Sequence, residues 1–269
     1  IDNHYQGSWL CNLDDLNSDI MVEFNPFSKI AKTRIEAVAA AVKLALSSLK
    51  GNGSVVFAST ISDSPKIDEH KFYSPEKLEK LYATIKRAGG MVYLSSAISD
   101  PKFIKKRRAS VKDYFLMLKK INEIKADNRK PKVAILFSRL SFHHAIRKCF
   151  AKYDKRQSVR TRQNQYLIPV WNSISALDKM NIPNTVINLE EANLNSYKLI
   201  LAPRTLVIGD EDIVRLRKFA KDGGMIIASQ QAGMLNYAGG LRSSNPLVGY
   251  KNITYFDSEP DWEVEIRYR

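Results

Sequence analysis

The run Lys132-Val133-Ala134-Ile135-Leu136-Phe137 decides how the chain is read. Its apolar residues follow one another without a polar break, so a strand built from them has no face for water. Such strands are covered on both sides, as in a parallel sheet with helices above and below. The same character recurs on either side. Ser54-Val55-Val56-Phe57-Ala58, Met91-Val92-Tyr93-Leu94, Asn184 to Leu189, Lys198 to Ala202 and Gly224 to Ser229 all read as short strands. Asp19-Ile20-Met21-Val22-Glu23-Phe24 is another, stopped by Asn25-Pro26.

Helical stretches separate these runs. Ala31 to Leu49 is rich in Ala, Leu and Val and stops at Lys50-Gly51. Ser74-Pro75-Glu76 opens the next helix, with proline at a first position where no N–H is needed, and Gly89-Gly90 closes it. A long basic helix spans Lys102 to Lys125, and Tyr166 to Met180 places Leu167, Val170, Trp171, Ile174 and Leu177 on one face. Glu211 to Lys221 is the last helix, and Asp222-Gly223-Gly224 ends it where a positive φ is needed. The polar stretch Lys152 to Gln165 is expected to be an exposed loop. Strands alternating with helices at this pace give an α/β fold with parallel sheets. Ala126 to Pro131 reads as a linker, dividing the chain into residues 1–127 and 128–269.

Composition narrows the function. The 269 residues carry 42 Lys plus Arg against 28 Asp plus Glu, a formal charge of +14, with 44% hydrophobic residues. Disorder is excluded by that apolar content. The basic clusters Lys105 to Arg108 and Lys152 to Arg162 have no nucleic-acid module around them, so a nucleic-acid or acidic-polymer binder is the least favoured class. Two cysteines, Cys11 and Cys149, make neither a disulfide scaffold nor a metal cage. No apolar run reaches the ~18 residues of a membrane span. The polar opening shows no signal-peptide pattern, and a start on Ile1 implies a processed product or a fragment. Neither phosphate-loop motif occurs, so no cofactor is expected.

The segment from Val133 to about Gly240 resembles the β-galactosidase trimerisation domain of glycoside hydrolase family 42, a flavodoxin-like relative of class I glutamine amidotransferases. The matching stretches are Lys132 to Ser138, then Trp171 with Ala176-Leu177 before Asn181-Ile182-Pro183. Leu194-Asn195-Ser196-Tyr197-Lys198 to Pro203 follows, and Leu216 to Ala228 completes the set. The resemblance implies a partial (β/α) barrel-like segment ahead of a flavodoxin-like, amidotransferase-like domain. A glutaminase needs a cysteine on a tight turn, activated by histidine. The corresponding elbow reads Ile227-Ala228-Ser229-Gln230-Gln231-Ala232-Gly233, and no histidine follows His144, so no glutaminase is expected.

In the glycosidases that this chain resembles, a barrel precedes that domain, and its catalytic carboxylates sit at the C-terminal ends of barrel strands. On that resemblance Glu23 matches the nucleophile. Asn25 and Trp9 are the substrate-binding candidates, a tryptophan face being able to stack on sugar C–H groups. A solvated role for Glu23 and a buried anchoring role for Trp9 stay open. Asp2, Asp14, Asp15 and Asp19 have no clear strand context. No metal is expected: His143 and His144 are adjacent and diverge by about 100° on a helix, and His70 has no ligand cluster. A whole barrel takes about 250 residues, more than precede the linker. The expected partners are therefore a carbohydrate substrate and either a second copy or a chain completing the barrel. The competing class is a non-catalytic scaffold that kept the fold.

Overall fold

The structure, a computed structural model, describes residues 20–24, 35–47, 54–59, 75–94, 101–151, 159–189 and 192–256. The backbone divides into two units, Ile1–Asn128 and Arg129–Arg269.

In the first unit, β1 (Ile20–Phe24), β2 (Val55–Ser59) and β3 (Met91–Leu94) form a parallel sheet in that order. Helix α1 (Ile35–Ser47) links the first two strands, and α2 (Pro75–Arg87) links the next two. Val38, Ala39, Ala40, Ala41 and Val42 are consecutive and all buried. That run covers every side of α1, which small side chains permit because neighbours can approach closely all round. Helix α2 is amphipathic instead, burying Leu78, Leu81, Tyr82 and Ile85 at the spacing of one face. Helix α3 (Pro101–Glu123) buries Tyr114, Met117 and Ile121. After it, the Asp127 N–H donates to the Arg87 carbonyl at 3.0 Å, returning the chain to the end of α2.

The second unit holds five parallel strands in the order β5-β4-β6-β7-β8. They are β4 (Val133–Phe137), β5 (Asn184–Asn188), β6 (Leu199–Ala202), β7 (Met225–Ser229) and β8 (Ile253–Phe256). Helices α4 (Arg139–Ala151) and α5 (Val159–Lys179) connect β4 to β5, a 3-10 turn at Leu194–Ser196 precedes β6, and α6 (Asp210–Lys221) precedes β7. This is the flavodoxin-like order, in which the first strand lies inside the sheet, second from one edge, and the chain reverses direction beside it. The four strands expected from the sequence all lie in this one parallel sheet. β8 was not expected, although Ile253-Thr254-Tyr255-Phe256 has the β-branched and aromatic character of a strand.

The core of this unit follows from strand alternation. Ala134, Leu136, Ile200, Ala202, Ile226 and Ala228 are buried and pack with Ile213, Leu216, Phe219 and Ala220 of α6. Asp210, Glu211 and Asp212 lie in the first turn of α6, and Lys218 and Lys221 in the last, each complementing the partial charge of its helix end. One expectation is corrected. Helix α5 begins at Val159, so the later part of the polar stretch 152–165 is helical and not loop. Arg and Gln are good helix formers, no Gly or Pro interrupts before Pro169, and the buried face of Tyr166, Leu167 and Val170 anchors the polar turns ahead of it. Among the described residues, no helix is long and apolar enough to cross a membrane.

The α6–β7 junction depends on its glycine pair. Gly223 sits at φ 94°, and a Cβ on Gly224 would lie 2.3 Å from the Phe219 ring. Gly223→Ala should therefore cost about 1–2 kcal/mol through backbone strain alone. Gly224→Ala should cost about 1–3 kcal/mol by overpacking. In urea unfolding the Gly224→Ala, Phe219→Leu double variant should lose less than the sum of the two single losses, removal of the ring partly relieving the clash. Independent, additive losses would contradict the packing account.

Candidate functional site

An open α/β sheet offers its chemistry at the C-terminal ends of its strands. In the first unit those ends are Phe24, Ser59 and Leu94, which stand level across the sheet. Glu23 is the penultimate residue of β1 and pairs in register with Ala58, which in turn pairs with Tyr93. The parallel register thus places Glu23 at the strand-end edge. Trp9 and Asn25 lie outside the described residues, as do Asp2, Asp14, Asp15, Asp19, His70 and Cys11. Cys149 is on α4.

Helix α4 also carries both adjacent histidines. The His144 ring lies against Gly239, while burial, helped by the Arg139 guanidinium, holds His143 below the usual imidazole range. Among the described residues no three His, Cys, Asp or Glu side chains group in a way that could hold a metal.

In the second unit, the strand-end crevice lies where the chain reverses, between β4 and β6. Sequence reasoning did not find the network that occupies it. Ser138 caps α4: its Oγ accepts from the Ser141 N–H at 3.1 Å and donates to the Val207 carbonyl at 3.1 Å. The Ser141 Oγ donates to the same carbonyl at 3.2 Å and accepts from the Val207 N–H at 2.8 Å. Tyr166, from α5, accepts from the Ser138 N–H and donates to the Ser138 carbonyl, both at 2.9 Å. All three side chains are buried. The signal was present in Ser138-Arg139-Leu140-Ser141, a strand end followed by a capping serine.

Every hydroxyl in this network both donates and accepts within the protein, so the proton of each is already committed to holding the fold. An apolar group, Leu206, Val207 and Leu235 with Leu140 and Met234, packs beside it. Isolated bridges from Val207 to Leu235 and from Leu235 to Leu241 fold the chain after β7 over this edge. Ser229 closes β7 almost wholly buried, and its carbonyl accepts from the Ala232 N–H at 2.9 Å. A turn follows it, not a helix, so the backbone lacks the strand-to-helix elbow that exposes a nucleophile.

Tyr166→Phe and Ser141→Ala should each lose about 1–3 kcal/mol of stability, because each strands buried backbone groups of Ser138 or Val207. Ammonia release from glutamine should be undetectable in the parent and in Ser229→Ala. Release that disappears in Ser229→Ala would overturn the view of a filled crevice.

Residues 132–246 match the family described as the β-galactosidase trimerisation domain. β-Galactosidase GanA of Bacillus subtilis (strain 168) is 29% identical over 130 residues, covering 46% of this chain and 18% of that protein. Among solved structures, a β-galactosidase from Bacillus circulans sp. alkalophilus superposes with a TM-score of 0.62 at 16% identity, covering 91% of this chain and 36% of its own. A cold-adapted β-galactosidase from Rahnella sp. R3 gives 0.58 at 20% identity, covering 90% and 37%. A GH42 β-galactosidase from G. stearothermophilus gives 0.55 at 17% identity, covering 84% and 34%. Such coverage takes in both units, since the second alone is about half of the chain. The chain is thus similar to the glycoside hydrolase family 42 enzymes in fold throughout and in sequence over its second unit. It spans about a third of the length of these solved structures.

Proposed function

We propose that the chain is the later part of a β-galactosidase-like glycoside hydrolase. In this reading the first unit contributes strand ends of a (β/α) barrel and the second serves assembly without chemistry of its own. The observation that carries the reading is the place of Glu23, penultimate in a parallel strand, on the edge where barrel enzymes keep their carboxylates. The family match of the second unit supports it.

Retaining hydrolysis uses two carboxyl groups about 5 Å apart. The Glu23 carboxylate would attack the anomeric carbon of a β-galactoside while the second carboxyl protonates the departing glycosidic oxygen. Water, deprotonated by that second group, then releases the sugar from Glu23. Trp9 would stack on the sugar, and Asn25, two residues beyond Glu23, would hydrogen-bond its hydroxyls. Two carboxyl groups and a water suffice for this chemistry, so the reading invokes no cofactor. Glu23→Gln should lower turnover of an aryl β-galactoside about a thousandfold or more while sugar binding changes little. An unchanged rate would remove Glu23 as the nucleophile and leave the scaffold reading ahead.

The partners follow from the same reading. Within the described residues β1 and β3 each have a neighbour on one side only, and unpaired strand edges invite pairing. A homo-oligomer, or a complex with a chain that completes the barrel, would satisfy them. With a net charge of +14, copies of the chain repel one another. Added salt should therefore strengthen self-association in light scattering. A mass fixed near 30.6 kDa at every concentration and salt level would refute assembly.

A further inference from the structure

Helix α3 carries eight Lys or Arg in its 23 residues against two acids, Asp113 and Glu123. That surplus of six belongs to a chain whose whole charge is +14. Tyr114, Met117 and Ile121 fix the buried side of the helix. At about 100° per residue these three cluster together, and Lys112, Phe115, Leu116 and Lys119 fall on the opposite side. All four are exposed, Phe115 at 59% and Leu116 at 49%. Continued toward the N-terminus, the same line runs through positions 108 and 105, which are Arg and Lys. Lys120 lies off it and pairs with Glu79 of α2 at 3.8 Å.

A face meant only for water has no use for a phenylalanine and a leucine side by side. Helix α2 shows the ordinary case: among its described positions the exposed ones are Glu76, Lys80 and Arg87, all charged. Single apolar residues scattered over a surface need no explanation. An adjacent pair set within a line of basic residues is different, because it joins the two chemistries that bind an interface between water and lipid.

We propose that this face of α3 docks the chain on an anionic lipid bilayer, with the helix lying flat on the surface. Phe115 and Leu116 enter the boundary between headgroups and acyl chains, while Lys112 and Lys119 on either side of them stay among the headgroup phosphates. The helix is about 34 Å long, so its basic turns and its apolar pair meet the surface together. Charge selects the occupant. A second copy would set like charge against this line. A soluble polyanion would neutralise the lysines but leave the phenylalanine and leucine in water. An acidic bilayer takes up both. Such docking is independent of what Glu23 does.

Co-sedimentation of the full chain with vesicles tests the docking. Vesicles of one part phosphatidylglycerol to two parts phosphatidylcholine should take up the chain, and added salt should release it. Vesicles of phosphatidylcholine alone should take up about tenfold less or lower still. Phe115→Ser with Leu116→Ser should weaken partitioning to the acidic vesicles by about tenfold or more. Lys112→Gln with Lys119→Gln should weaken it by about fivefold for each lysine. Lys198→Gln with Lys251→Gln, exposed and in the second unit, is the control and should change it by about twofold at most. Circular dichroism confirms that the variants fold, and the lipid and salt series on the parent chain needs no variant. A parent chain left in the supernatant at low salt would overturn the proposal. Loss in the lysine pair with none in the serine pair would overturn it in favour of a soluble polyanion held by charge alone. Equal losses in the control pair would overturn it too, since the attraction would then belong to the net charge and to no particular face.

Discussion

One phenol holds the second unit in register. Tyr166 takes both the N–H and the carbonyl of Ser138, the residue where β4 ends and α4 begins. Phe137 and Phe142 pack around it with ring centroids 5.6 to 5.8 Å apart. Strand, cap and both connecting helices therefore converge on a single buried hydroxyl. In a low-dielectric interior such a bond is strong, and its absence would be costly in proportion. The position of β4 relative to α5 then settles where β5 lies, and the crevice between β4 and β6 closes over the serine pair. The place where flavodoxin-like proteins hold ligands is here given to holding the fold.

The two units were legible in the sequence to different degrees. The run Val133–Phe137 declares itself because a strand buried on both faces has no polar positions to blur the pattern. The Gly223-Gly224 stop was equally plain, and the Phe219 ring against Gly224 gives its reason. Less visible were features made by contacts distant in sequence. Val207 meets Ser138 and Ser141 only because β6 returns beside β4, and no local pattern marks that meeting. The start of α5 was obscured for a related reason: its polar first turns are held by the apolar face that follows them. β8 was legible and was passed over, its short Ile-Thr-Tyr-Phe run lying beyond a long stretch of turns.

The candidate chemistry divides in the same way. The absence of a cysteine from the Ser229 turn could be read from the residues, and the buried, turn-capped geometry of Ser229 supplies the physical counterpart. Glu23 could be placed at a strand end from Asn25-Pro26 alone, since proline cannot continue a ladder. What a carboxylate at that edge does depends on groups from other strands, which a local pattern does not reveal.

The internal position of β4 also shapes how the chain must be made. β4 precedes both of its neighbours in sequence, and β6, on its inner side, is reached only after β5 has been laid on the other. During synthesis at about 5–20 residues per second, the apolar run Val133–Phe137 leaves the ribosome several seconds before Leu199–Ala202 can cover it. Through that interval, among the described elements of this unit, α4 and α5 and then β5 are what can shelter it. A nascent chain stalled before Leu199 would present this run to chaperones or to neighbouring nascent chains.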